Sequence, residues 1–206
     1  MPSYPGLPEP RFNVFLRHTD AKAQQAHYAP GVSFQIATYE LGGNTGTYVD
    51  SPFHRLPSGD DLATLPLVRL VDLPGILVKA PKDGAIGAET FQGAEVRDRA
   101  VMVHTGWSKR WGGDYFRSGP FLTGEACEHL VRSGAVLVGI DCANIDNMKD
   151  PARPAHTTLL AAGIPVVEHL TALEKIGDRP FRFFAAPPAI RGGTSFTVRA
   201  FALFES

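Results

Sequence analysis

The chain has 206 residues, 44% of them hydrophobic and 20% charged, the profile of a globular domain large enough to bury a core without disulfide or metal staples. Twenty Lys and Arg against 21 Asp and Glu leave a net charge of −1, so no overall field draws it onto nucleic acid or an anionic membrane. No apolar run reaches the ~18 residues of a spanning helix, and the start lacks the basic and apolar regions of a signal peptide; a cytoplasmic location is expected.

In chain order, the 21 glycines and 17 prolines punctuate many short elements without gathering into a linker, and one domain over residues 1–206 is expected. Residues 32–39 mix β-branched and aromatic side chains with rough alternation and predict a strand. Residues 76–78, 100–104, 135–140 and 164–167 are short apolar runs between turn residues, the pattern of core-sheet strands buried on both faces. Thr123 predicts an N-cap with Glu125 in the first turn; Ala126, Cys127, Leu130 and Val131 share a face, and Gly134 stops the helix. A second helix is predicted over 154–162, with Pro154 near its start and Gly163 as its stop. Residues 194–203 alternate as antiparallel or edge strands do. The whole predicts an α/β domain with a mixed sheet and flanking helices. Cys127 and Cys142 are too few for a disulfide scaffold and are expected as buried thiols; nothing nearby would activate Cys142 as a nucleophile.

Polar groups concentrate in Asn44–His54. If this segment is extended, Tyr48 and Asp50 point to one face, Pro52 ends the strand and swings His54 back beside them, and Gly46 permits a close backbone approach. The same residues also suit an ordinary loop with a turn-forming Asp and a hydrogen-bonded His. His156 follows Ala155, and Glu168 closes a buried strand, where a carboxylate needs a partner because a bare buried charge costs several kcal/mol. Asp141 closes another such strand ahead of Asp146; a structural hydrogen bond accounts equally well for each residue alone.

Together these segments resemble the metal-dependent cyclase family that includes kynurenine formamidase and isatin hydrolase, with the signature His-x-Gly-Thr-His-x-Asp-x-Pro-x-His. This chain matches at Gly46, Thr47, Asp50, Pro52 and His54 and departs at Asn44 and Tyr48. The resemblance continues through Tyr4-Pro-Gly, His104 to Ser108, Gly139 to Asp141, Ala155-His156, Gly163 to Leu170 and Phe181 to Ala185. It implies the swivelling β/β/α fold and an oligomer whose pockets are completed at subunit contacts. Family members carry a strand with Asp-Leu-Ser ahead of the Tyr-Pro-Gly turn, so this chain is expected either to lack it or to start within a longer sequence.

In the two-metal form of the family, the first two signature His residues and the Asp hold one ion; the Asp, a later His and a later Glu hold the second. Carried over, Asp50, His156 and Glu168 are metal ligands and His54 is the proton-transfer residue. The imidazoles private to the first ion are absent, since amide and un-ionised phenol are poor substitutes for a borderline metal. The expectation is therefore one divalent ion, Mn²⁺ or Zn²⁺, or none. The implied activity is hydrolysis of a small aryl formamide, cyclic amide or lactone, with Asp50, Tyr48 and His54 at the chemistry. The alternative is a metal-free member that binds a small carboxylated or aromatic ligand or uses His54 and Asp50 for metal-free acid–base chemistry. Tyr4, Phe12, Phe53, Trp107 and Trp111 either stack on an aryl substrate or serve as core and subunit contacts. Arg17 and His18 follow a strand end near the expected pocket.

Overall fold

The computed structural model describes residues 6–20, 24 and 27–204. Tyr4, one of the aromatic candidates, lies outside them. In chain order the strands and α-helices are β1 (Arg11–Leu16), β2 (Ile36–Glu40), β3 (Tyr48–Asp50), β4 (Leu73–Lys79), β5 (Ala85–Ile86), β6 (Ala100–His104), β7 (Phe121–Leu122), α1 (Gly124–Ser133), β8 (Leu137–Ile140), α2 (Pro154–Ala161), β9 (Val166–Glu168), β10 (Phe181–Phe184), β11 (Ser195–Thr197) and β12 (Phe201–Phe204).

Eight strands form one sheet in the order β11-β3-β9-β8-β6-β4-β10-β12. The central four are parallel, and each flank adds two antiparallel strands. The parallel strands are the short apolar runs of the sequence, and they are buried on both faces. Val101, Val103, Val138 and Ile140 pack under the helices, while Ala100, Met102 and Leu137 face a second core with Leu65, Leu173 and Phe183. Gly139 sits on that second face because space is lacking: a Cβ there would meet Leu170 Cδ1 at 2.6 Å and Met102 Sδ at 2.9 Å.

Residues 194–203, expected to alternate as antiparallel or edge strands do, form β11 and β12, two antiparallel strands on opposite edges of the sheet. Four Cα steps from Thr197 to Phe201 reach at most ~15 Å, whereas the edges of a flat eight-stranded sheet stand ~34 Å apart. The sheet must therefore curl until its edges nearly meet. Residues 32–39 depart from expectation: the strand begins at Ile36 and pairs with β1 in a separate two-stranded ribbon.

Both helices follow their local signals. Thr123 Oγ1 accepts from Ala126 N at 3.1 Å, and Gly134 closes α1 in the left-handed conformation at φ 84°. Pro154 opens α2, and Gly163, at φ 70°, ends its turn. Among the described residues no helix is long and apolar enough to cross a membrane.

Candidate metal centre and cavity

Strand β3 lies between β9 and β11, with Tyr48 opposite Glu168 and Asp50 opposite Ser195. Side chains at directly opposed positions share a face, so this register brings two carboxylates, a phenol and a hydroxyl together from distant parts of the chain. Gly46 precedes the strand at φ 66°, a conformation that favours glycine. Pro52 opens a 3₁₀ turn over Pro52–His54, held where Ser51 N and Oγ donate to Thr194 O at 2.9 and 2.8 Å. That turn returns His54 to Asp50, with Nε2 3.8 Å from Oδ1.

His156 enters from α2, its Nε2 3.6 Å from Asp50 Oδ2 and 3.7 Å from Glu168 Oε1. Its Nδ1 contacts Asp146 Oδ2 at 2.6 Å, and Asp146 also accepts from Ala155 N at 2.6 Å and His156 N at 3.1 Å. One carboxylate thus caps α2 and holds the imidazole. Because an ionised carboxylate only accepts, Nδ1 carries a proton whether the ring is charged or neutral, and it is the neutral ring that can turn an Nε2 lone pair to a cation between Asp50 and Glu168.

Glu168 Oε1 accepts from Ile145 N at 2.6 Å, and Oε2 accepts from the Tyr48 hydroxyl. Burial, added to the charge of Asp50, raises the Glu168 carboxyl from 4.5 to about 7. Burial and the same two carboxylates push the Tyr48 phenol well above its ordinary value. Tyr48 is therefore a neutral donor. Burial alone would raise Asp50, but the imidazoles of His156 and His54 and the Ser195 hydroxyl bring it below its ordinary value. The opposite balance holds at His156: burial opposes its charge, yet Asp146, Asp50 and Glu168 raise it well above the ordinary imidazole value.

These residues converge on a cavity of about 440 Å³ lined by Asn44, Tyr48, His54, His156 and Glu168, with Gly6, Leu7, Arg55, Asn144 and Arg153 completing its wall. Asp50 lies beneath, fully buried. Its Oδ2 has no hydrogen-bond partner, and buried carboxylate oxygens are ordinarily paired or bound to a cation. Single ligand atoms from Asp50, His54 and His156 all lie within 4.8 Å of one another. A carboxylate with two imidazoles is a donor set that fits one divalent ion of the zinc or manganese type. The Asn44 side chain, by contrast, turns its Nδ2 donor toward Asp50 Oδ1 at 3.4 Å. With Tyr48 neutral, Asn44 and Tyr48 offer hydrogen-bond donors where the family signature has imidazole ligands.

Other sequence candidates are structural. Asp141 accepts from Thr105 N, Thr105 Oγ1 and Gly106 N at 2.9, 2.6 and 2.7 Å, fixing the turn after β6. Trp107 is buried and donates through Nε1 to Tyr115 O at 2.8 Å. Phe12, Phe53 and Trp111 do not line the cavity; Trp111 packs against Tyr115 and Phe116. Arg17 and His18 follow β1 away from the cavity wall. Cys127 and Cys142 are buried free thiols, both raised by burial. Sequence reading gave no role to Ser195 and none to Asp146. Asp146 lies eight residues ahead of α2, whose N-cap position is Arg153, and nothing local marks it or Ser195.

The cyclase family model matches residues 2–147, well over half of the chain. Kynurenine formamidase of Bacillus cytotoxicus is 26% identical over 170 residues, 82% of this chain and 79% of that protein. Among solved structures, isatin hydrolase A of Labrenzia aggregata bound to benzyl benzoate superposes with a TM-score of 0.80 at 23% identity, covering 95% of this chain and 83% of that one. A predicted metal-dependent hydrolase from Bacillus stearothermophilus superposes at 0.71 and 22% identity, covering 97% and 93%. With the curled mixed sheet, helices α1 and α2 and the Gly46 to His54 segment at the cavity, the chain belongs to the cyclase family.

Proposed function

We propose that the protein is a hydrolase of the cyclase family that opens a small aryl formamide, cyclic amide or lactone, with one divalent ion, Mn²⁺ or Zn²⁺, on Asp50, His156 and Glu168. The observation that carries this reading is the bare, fully buried Asp50 Oδ2 facing His156 Nε2, an acceptor placed for a cation. An ion held there supplies Lewis acidity toward a carbonyl oxygen and acidifies water. His54, partly exposed at the cavity wall, takes a proton from the attacking water and returns it to the leaving group. Tyr48 holds Glu168, and Asp146 orients His156. Arg55 and Arg153 line the same cavity and would favour a substrate that carries a carboxylate.

The test is metal analysis of the chelator-treated and reloaded protein beside hydrolysis of an aryl formamide, an isatin-like lactam and a lactone. The expected result is at most one ion per chain and turnover that requires it. Two ions per chain would overturn the single-site reading. A second reading, with His54 as third ligand in place of Glu168, draws on the 4.8 Å grouping of Asp50, His54 and His156. His54→Ala separates the two: it retains the ion and loses about 10²-fold or more in turnover if His54 moves protons, and loses the ion if His54 is a ligand. Absence of hydrolysis with either metal would favour the binding-protein alternative.

A further inference from the structure

We propose that Ser195 is a positioning residue that fixes His54 as the tautomer protonated on Nδ1, leaving Nε2, beside Asp50 at the cavity, as the unprotonated nitrogen. Its catalytic consequence rests on the reading of His54 as the proton-transfer residue; the tautomer itself does not.

The argument begins with register. β11 and β3 place Ser195 directly opposite Asp50, 145 positions away in sequence. Both residues are buried. Ser195 Oγ donates to Asp50 Oδ1 and lies 3.0 Å from His54 Nδ1. A hydroxyl has one proton and an ionised carboxylate has none to give. The serine proton is therefore committed to Asp50, and only an Oγ lone pair is left for the imidazole. Nδ1 must be the donor in that contact, which makes Nε2 the acceptor of the neutral ring.

Asp146 likewise accepts from Nδ1 of His156. The two imidazoles thus turn Nε2 toward opposite oxygens of Asp50, but the anchors differ in kind. A carboxylate holds the buried ring, and a neutral hydroxyl holds the partly exposed one.

Packing fixes the serine in turn. A Cβ on Gly43 would meet the Ser195 carbonyl oxygen at 2.3 Å, so the loop ahead of β3 lies directly against the β11 backbone. The neighbouring Ser51 bonds to Thr194 O, immediately before Ser195. Without the hydroxyl, Nδ1 loses this acceptor, and Asp50 Oδ1, 3.8 Å from Nε2, draws the proton toward the other nitrogen.

The test is ¹⁵N-histidine NMR of the full-length, chelator-treated protein with the His54 ring neutral, alongside steady-state kinetics at saturating Mn²⁺. Wild type should show His54 protonated on Nδ1, Ser195→Ala a mixture of tautomers, and Ser195→Thr the wild-type state. In kinetics Ser195→Ala should lose about 10–100-fold in kcat, the range for removal of an orienting partner, with KM unchanged and with recovery in Ser195→Thr. A wild-type His54 protonated on Nε2, or a tautomer unaltered in Ser195→Ala, would overturn the proposal. The wild-type spectrum decides this even if the alanine variant fails to fold. If the tautomers behave as expected but wild type hydrolyses none of the substrates, the positioning role stands and the hydrolase reading fails.

Discussion

Glu168 shows how far a single residue depends on its surroundings. Its carboxyl is raised from 4.5 to about 7, by burial first and by the charge of Asp50, so the folded state holds this proton more tightly than the unfolded chain. By linkage, its contribution to stability is complete below pH ~4.5 and is lost as pH rises toward ~7. His156, raised by its carboxylate neighbours, acts in the same direction above its unfolded value. Chelator-treated protein is therefore expected to melt lower at pH 8 than at pH 5.5, and added Mn²⁺ or Zn²⁺ should recover the loss at pH 8 by neutralising the paired carboxylates. A melting temperature flat across that interval, by differential scanning fluorimetry, would contradict this balance. Asp146 permits a cleaner substitution. Asp146→Asn keeps an oxygen to cap α2 but weakens the anchor of His156 Nδ1, and metal affinity by titration calorimetry should fall about 10–100-fold. Tyr48, Asp50, His54, His156 and Glu168 were legible as candidates because residue type and spacing mark them. Asp146 and Ser195 were not, because their roles consist of contacts with those candidates.

At the level of elements, the cavity depends on a strand of three residues and a 3₁₀ turn of three. Neither has the length to be stable alone; both are held by neighbours. β3 pairs on both edges, and the turn is tied to the 193–195 segment through Ser51. Gly43→Ala should expose this dependence, because its Cβ would meet backbone, which cannot rotate away as a side chain can. The expected result is a loss of ~1–3 kcal/mol of stability together with a change in the His54 tautomer. Unchanged melting and an unchanged His54 spectrum would show that the loop relaxes freely. The helices behave differently. Thr123, Gly134, Pro154 and Gly163 act within a few residues of themselves, so their effect is visible in sequence. Alternation over 194–203 marked antiparallel or edge strands, which β11 and β12 are, but it describes how side chains face and says nothing of which edge receives each half.

Over the whole molecule, the least integrated part is the β1–β2 ribbon, paired outside the main sheet. A two-stranded ribbon is marginally stable alone, and this one is partly braced by Gln24, whose amide bonds Arg17 O, Phe34 O and Phe34 N at 2.6, 3.1 and 2.8 Å. Phe15 and Tyr39 are 65% and 72% exposed, and Phe12, Phe34 and Ile36 are exposed with them. Tyr28 and Val32 nearby are exposed as well, and Phe12 and Tyr39, opposite each other in the ribbon, pack ring on ring at 5.1 Å. The expected occupant of these exposed aromatics is a second copy of the chain. Light scattering at micromolar concentration should report a dimer, and Phe15→Glu with Tyr39→Glu should yield a folded monomer. A monomeric wild type would refute this use of the surface.

The sequence by itself determined the core strands, both helix boundaries, the family and the main cavity candidates, because hydrophobic runs, caps and motif spacing act locally. Only the tertiary structure decided the curl of the sheet, the placement of β11 and β12 on opposite edges, and the partners of the two imidazoles. The curl follows from joining opposite edges through a three-residue link. The contact of Ser195 with Asp50 and His54 follows from strand register across more than 140 residues, a relation that no local pattern encodes.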